Sequence, residues 1–247
     1  MLPNPPHVPH PKPKRFPRRE AVTIAAGFCF DGGVLVCADT QFSSALVKFF
    51  ESKLMFIDPV DSSSGSSLKV MFAMSGTDGH MQTAVSKCER ALAGLKQEKI
   101  SKDTIKNALG EALVNVYAKH FFKHKYYGHE NGPYVSLIIA VWWKGAKTVL
   151  LWTQETTVNE VLDFKCVGHG ADMARFIVAP LLPQRLDRPL KDVLLVAIHA
   201  LQQTKKADPY CGGESDFGIL FDNGDRGTQG ALTSHKEKHS LKLSKRF

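Results

Sequence analysis

Three side chains with complementary chemistry stand at the ends of neighbouring apolar runs in the first quarter of the chain. Thr23 opens the first run, Asp39 closes the second, and Lys53 opens the third. The turn Asp31-Gly32-Gly33 between the first two runs is typical of a β-hairpin and would bring Thr23 and Asp39 to the same end. A lysine beside a hydroxyl favours the alkoxide, and a carboxylate holds that lysine charged, so the set suits nucleophilic attack.

The hydroxyl also needs a proton acceptor. An N-terminal threonine carries one itself, because a free α-amine has a pKa of about 8 and lies beside the hydroxyl. Chemistry at Thr23 therefore requires removal of residues 1–22, which we call the arm, or a true start just before Thr23.

Each of these residues also has an ordinary structural explanation. Threonine is β-branched and common in strands. An acid after an apolar strand, such as Asp39, also serves as a turn residue, and a lysine at a strand end is usually solvated. Lys48 competes with Lys53 for the role of the lysine. Taken alone, the three residue types do not separate catalysis from structure.

The hydrophobic periodicity predicts strands and helices that alternate in groups. We expect strands over residues 23–30, 34–39, 53–57, 68–74, 134–143, 148–153, 161–167 and 215–221, and helices over residues 78–96, 101–122, 168–182 and 190–205. Pairs of long helices between groups of antiparallel strands predict an α+β fold, a four-layer α-β-β-α sandwich with two antiparallel sheets between helix pairs.

Charge and proline content divide the chain into three parts. The arm holds seven prolines and is predicted to be a disordered Pro/basic segment or propeptide, residues 23–234 a single domain, and residues 235–247 a basic tail. The formal net charge of +8 belongs to the two ends, since residues 1–20 and 235–247 each carry five cations and one acid. The neutral body argues against a nucleic-acid-binding fold.

Cysteine usage and hydropathy indicate the compartment. Five cysteines without CxxC spacing argue against a disulfide framework or a zinc site and favour a reducing, cytoplasmic setting. No apolar stretch approaches the roughly 20 residues that a membrane span requires. We therefore expect no membrane partner.

Several motifs, in their order and spacing, resemble the proteasome β-type subunits and the bacterial proteasome-like N-terminal nucleophile (Ntn) hydrolases. Thr23 stands sixteen residues before Asp39, as the family's nucleophile stands before its acid. The motifs span roughly residues 23–222 and are Ala38-Asp39, Lys53-Leu-Met-Phe-Ile57, Met74-Ser-Gly76, Gly168-His-Gly170 and Tyr210-Cys-Gly-Gly213.

The resemblance implies a role for each matching residue. The implied catalytic set is Thr23 as the nucleophile, Asp39 as the acid paired with the catalytic lysine, Lys53 as that lysine, and Gly76 as the donor of the oxyanion N–H. Met74 would line the substrate pocket, and Cys211, followed by Gly212, falls where the family places a serine. The resemblance also implies a ring-like homo-oligomer that acts on peptides or unfolded proteins, with no metal or organic cofactor. It leaves open whether an unfoldase is a partner.

The chain departs from the family pattern in four ways. Val22 precedes the threonine where self-processing subunits have glycine, and the spacing from acid to lysine is two residues short. A second acid has no clear match, because Asp172 lies early and Asp187 late. An offset of one residue would place Val22 at the nucleophile position and leave the site inert.

Three functions remain in competition. The favoured one is a proteasome-like threonine hydrolase that cleaves peptide bonds through an acyl-enzyme on Thr23 once the arm is removed. The alternative is a non-catalytic structural subunit of a proteasome-like assembly that keeps its arm as a gate or docking element. A nucleic-acid-associated protein that uses its cationic tails ranks last.

Overall fold

A computed structural model describes residues 23–43, 48–59, 68–122, 133–182 and 187–229. The predicted arm and the predicted basic tail lie outside the described residues. None of the described helices is long and apolar enough to cross a membrane.

Twelve strands and four α-helices form the described part of the chain. In chain order they are β1 (Ile24–Phe30), β2 (Gly33–Asp39), β3 (Gln41–Ser43), β4 (Lys48–Phe50), β5 (Leu54–Ile57), β6 (Leu68–Gly76), α1 (His80–Ala93), α2 (Lys102–His120), β7 (Val135–Trp143), β8 (Val149–Gln154), β9 (Thr157–Val161), β10 (Phe164–Gly168), α3 (Ala171–Leu181), α4 (Leu190–Ala207), β11 (Ser215–Phe221) and β12 (Arg226–Gln229).

Two five-stranded antiparallel sheets form the centre of the fold. The first sheet has the order β10-β1-β2-β11-β12, and the second has the order β5-β6-β7-β8-β9. Alternate residues of each strand face either the other sheet or the helices. In β2, for example, Val34 and Val36 belong to the cluster between the sheets, whereas Leu35 and Cys37 belong to the cluster under α3 and α4.

The helices cover the two outer faces. Helices α1 and α2 pack on the second sheet, and α3 and α4 pack on the first. Ser101 begins α2 with a capping box that it shares with Thr104, as its position before an amphipathic run predicts. The four-layer α-β-β-α sandwich predicted from the sequence is thus confirmed.

The β1–β2 hairpin sets the position of the site. Gly32 takes a φ of +97° in the turn, which glycine adopts without strain. The register pairs Ala25 with Ala38, so the chain just before β1 lies beside the end of β2. Thr23 and Asp39 are therefore neighbours, as the hairpin pattern predicts.

The prediction of a single strand over residues 161–167 is wrong. The structure has two strands there, β9 in the second sheet and β10 in the first, joined where Leu162 is exposed. The apolar pattern continues through the crossing, so it does not reveal the change of sheet. The short strands β3, β4 and β12 were not predicted, because three or four residues give too little periodicity.

Candidate active site

A fully buried ion pair lies at the open end of the β1–β2 hairpin. Lys53 Nζ is 2.7 Å from Asp39 Oδ1, and both side chains are 0% exposed. The ammonium also donates a hydrogen bond to the carbonyl of Gln41 and lies 4.7 Å from the centre of the Phe42 ring. Asp39, Gln41 and the ring thus surround the Lys53 ammonium.

The same carboxylate contacts two further chain segments. Asp39 Oδ1 accepts a hydrogen bond from the backbone N–H of Ile24 at 3.2 Å, directly after Thr23. Asp39 Oδ2 accepts one from the backbone N–H of Gly212 at 2.9 Å. The acid therefore joins the lysine, the residue after Thr23 and the Cys211-Gly212 segment.

Burial shifts the pKa of both partners. Loss of hydration lowers the pKa of Lys53, and the Asp39 carboxylate opposes that shift. Loss of hydration also raises the pKa of Asp39, opposed by Lys53 and by the two backbone N–H groups. A lysine with a lowered pKa exchanges a proton more readily than a solvated one.

Thr23 is buried, with 1% of its surface exposed. Its carbonyl accepts a hydrogen bond from the backbone N–H of Gly170 at 3.4 Å. A side chain at Gly168 would overlap the same carbonyl, and Gly168 has a φ of +99°. Because glycine stands on both sides of His169, the Gly168-His-Gly170 turn can pack closely against Thr23.

The end of β6 is next to the lysine. The backbone N–H of Met74 donates to the carbonyl of Lys53 at 3.0 Å. Gly76 has a φ of +148°, and a side chain there would overlap the carbonyl of Tyr134. The Met74 side chain is only 5% exposed and lies in the cluster under α1 and α2. The roles implied for Met74 and Gly76 remain predictions.

A carboxylate that sequence reasoning missed lies beside Cys211. Asp208 Oδ2 is 3.6 Å from Cys211 Sγ and 2.6 Å from His169 Nδ1. The two acids considered from the sequence are exposed, and Asp172 pairs with Arg175 on its own helix. The available signal was an acid three residues before Cys211, at the end of the fourth predicted helix. Burial, reinforced by the nearby carboxylates of Asp39 and Asp208, raises the pKa of the Cys211 thiol.

Two other lysines have distinct positions. Lys48, the rival of Lys53, is exposed and donates to the carbonyl of Pro209 at 3.1 Å. Lys205, not singled out from the sequence, donates to the carbonyl of Gly213 at 2.8 Å, and burial lowers its pKa. Lys53 is therefore the lysine that pairs with Asp39.

The family model for the proteasome subunit matches residues 21–220. This chain belongs to the proteasome subunit family. The matched stretch contains Thr23, the Asp39–Lys53 pair and the Cys211-Gly212 segment. Among curated proteins, none matches this proteasome subunit.

Solved structures of Anbu share its fold. A Gly-1 mutant of Anbu from Hyphomicrobium sp. strain MC1 is 16% identical over 87% of this chain and 90% of that chain, with a TM-score of 0.69. Anbu, described as an ancestral beta-subunit, from Yersinia bercovieri is 15% identical over 80% of this chain and 81% of that chain, with a TM-score of 0.63. The helical assembly of the Anbu complex from Pseudomonas aeruginosa is 13% identical over 84% of this chain and 88% of that chain, with a TM-score of 0.67.

Proposed function

We propose that this proteasome subunit is a threonine-type N-terminal nucleophile hydrolase that cleaves peptide bonds once the arm is removed. The observation that carries the proposal is the fully buried Asp39–Lys53 pair, which contacts the chain immediately after Thr23. A buried ion pair is poor evidence for stability, because desolvation offsets most of the attraction. A catalytic role beside Thr23 would explain why the Asp39–Lys53 pair is buried.

The proposed reaction has two stages. The free α-amine of Thr23 takes the hydroxyl proton, and Thr23 Oγ1 attacks the substrate carbonyl while the Lys53 ammonium stabilises the developing charge. The amine then protonates the leaving nitrogen, which leaves an acyl ester on Thr23. Water, deprotonated by the same amine, hydrolyses the ester and restores the hydroxyl. Asp39 holds Lys53 in place, and the backbone N–H of Gly76 is proposed to bind the oxyanion.

N-terminal sequencing of the protein from its native host tests the first requirement, since the proposal predicts that Thr23 leads the chain. Thr23→Ala should then abolish hydrolysis of unstructured peptides. Thr157→Ala, at an exposed threonine on β9, is the matched control and should retain the wild-type rate. Wild-type turnover by the Thr23→Ala variant would refute the proposal.

The second candidate is a non-catalytic subunit that retains its arm. It is favoured by Val22, where the resemblance expects glycine, because bulk there hinders a strained turn. Intact mass distinguishes the two candidates. Loss of the arm supports the hydrolase, and an intact arm with no peptide hydrolysis supports the structural subunit.

We also propose that the subunit forms a homo-oligomer through α3 and α4. These helices expose large apolar side chains, namely Met173, Phe176, Leu181 and Leu195, with Phe176 79% exposed. The helical assembly described for Anbu from Pseudomonas aeruginosa is consistent with self-association of this fold. Phe176→Glu should shift the sedimentation coefficient to that of a smaller species, whereas Phe50→Glu, at an exposed phenylalanine outside these helices, should not.

The proposed setting is the cytoplasm, because the cysteines of the described residues are free thiols. The proposed substrates are unstructured peptides or unfolded proteins.

A further inference from the structure

The loop between α4 and β11 contacts the carboxylate of Asp39. In this loop, residues 208–214, the backbone N–H of Gly212 donates to Asp39 Oδ2 at 2.9 Å. The carbonyl of Gly212 accepts the backbone N–H of Gln41 at 3.1 Å. The loop therefore supplies one of the two backbone N–H groups that bind this carboxylate, and Ile24 supplies the other.

The Gly212-Gly213 dipeptide makes this loop depend on contacts from outside it. Glycine has the widest choice of backbone conformations, and Gly213 takes a φ of +69°. A side chain at Gly213 would overlap Thr40 Oγ1 and the Phe50 ring, so the loop packs tightly against both residues. Lys205, in the last turn of α4, donates from Nζ to the carbonyl of Gly213 at 2.8 Å. The loop is thus bound both by the chain after Asp39 and by α4.

Lys205 is placed differently from the lysine that follows it. Both belong to the last turn of α4, where cations suit the helix dipole, but Lys205 is half-buried and Lys206 is exposed. Burial lowers the pKa of Lys205, and the carboxylate of Asp39 opposes that shift. The helix itself is fixed, because Ala200 and Leu201 are buried under it in the core. The helix dipole alone therefore does not explain the position of Lys205.

We propose that Lys205 is a positioning residue for the reaction, an inference that rests on the proposed function. Its ammonium holds the loop so that the Gly212 N–H stays on Asp39, and Asp39 in turn holds Lys53. The N–H stabilises the ionised carboxylate, and the ionised carboxylate keeps the Lys53 ammonium in place. Lys205 acts on the reaction only through these contacts.

The pH dependence of turnover reports on this arrangement. Burial raises the pKa of Asp39, and the Gly212 N–H is among the groups that oppose the rise. If the loop loses Lys205 and the N–H moves away, the pKa of Asp39 rises further. The acidic limb of the kcat profile then moves to higher pH, because the reaction needs the ionised carboxylate. Other titratable side chains that interact with the ion pair remain in place, namely Asp216 and Cys211.

Two substitutions of the lysine separate its bond from its bulk. Lys205→Met keeps an unbranched side chain but removes the donor and the charge, whereas Lys205→Arg keeps both. Counted per chain that begins at Thr23, Lys205→Met should lower kcat by about tenfold, as expected for one hydrogen bond in a charged network, and leave KM within about twofold. Its acidic limb should move to higher pH, and Lys205→Arg should recover most of the lost rate. Lys206→Met is the matched control and should behave as the wild type.

Hydrogen exchange tests the hold on the loop separately from hydrolysis. It is measured on the full chain by mass spectrometry of peptic fragments that cover residues 211–214. Exchange in these fragments should be at least about tenfold faster in Lys205→Met and unchanged in Lys206→Met. This readout does not depend on whether the arm is released.

The possible results are distinct. Unchanged exchange in Lys205→Met, or faster exchange with kcat and the acidic limb both unchanged, overturns the positioning role and leaves the proposed function intact. A fall in kcat that is equal at every pH shows a merely structural effect and also overturns it. A wild-type protein with free Thr23 that hydrolyses no peptide contradicts the proposed function, and the positioning role falls with it whatever the exchange rates.

Discussion

Two ion pairs lie at opposite ends of the β1–β2 hairpin, and they differ in burial. At the open end Asp39 and Lys53 are both withdrawn completely from water. At the turn end Arg188 pairs with Asp163, which keeps 29% of its side chain exposed. One carboxylate is therefore fully dehydrated and the other is still partly hydrated.

The two pairs also hold different parts of the chain. The backbone carbonyls of Asp163 and Arg188 accept hydrogen bonds from the N–H groups of Cys29 and Asp31, each at 2.8 Å, so this pair secures the hairpin turn. The Asp39–Lys53 pair instead contacts the chain beside a buried threonine. A fully buried pair stabilises a fold no better than apolar residues of similar volume. The turn end is thus explained by structure, whereas for the open end we propose a role in chemistry.

The largest expected effect follows loss of the lysine at the open end. Lys53→Met leaves the Asp39 carboxylate buried without its cation and should lower the free energy of unfolding by about 3–5 kcal/mol. Peptide hydrolysis should fall by at least about a hundredfold, because the developing oxyanion loses its ammonium. Urea unfolding and initial rates measure the two effects.

The control for this prediction removes both charges. Asp39→Asn combined with Lys53→Met should recover most of the lost stability without recovering hydrolysis. A double variant no more stable than Lys53→Met would show that the pair is structural, and the contrast between the two ends would disappear.

A smaller effect is expected at the turn end. Arg188→Met leaves a carboxylate that can still reach water, so the free energy of unfolding should fall by about 1–3 kcal/mol. The kcat for peptides should stay within about twofold of the wild type, since the change is far from Thr23 along the hairpin. A folded Arg188→Met protein that has lost hydrolysis would contradict the assignment of chemistry to the open end.

The smallest effect is expected for an ion pair in water. Lys102 Nζ lies 2.7 Å from Glu160 Oε2, with 43% and 30% of the two side chains exposed. Solvent screens such a pair, so Lys102→Ala should change neither the urea midpoint nor the rate of hydrolysis measurably. If Lys102→Ala lost as much stability as Arg188→Met, burial would not determine how much each ion pair contributes to stability.

The sequence predicts those parts of the site that depend on local patterns. The β1–β2 hairpin follows from the two apolar runs around Asp31-Gly32, and the hairpin alone brings Thr23 beside Asp39. The pairing of Lys53 with Asp39, implied by the family resemblance despite the short spacing, is seen in the structure. Their catalytic roles remain proposals.

The parts of the structure that the sequence does not predict depend on contacts between segments that are distant in sequence. Asp208 meets His169 across 39 residues of sequence. His169 lies at the start of one predicted helix and Asp208 just after the end of the next, and helical periodicity does not predict a contact between the two. The change of sheet after Val161 is likewise a tertiary event within a continuous apolar pattern. Side chains brought together by tertiary packing leave little trace in local spacing.

The central claim is that the Thr23 hydroxyl is the nucleophile, and the most direct test is to locate an acyl group on the protein. The protein is incubated with a peptidyl β-lactone, digested and mapped by mass spectrometry. The account predicts one acyl group on Thr23, in a fragment that begins at that residue, and none in Thr23→Ala. An acyl group on another residue, in protein that has thereby lost hydrolysis, would contradict the account.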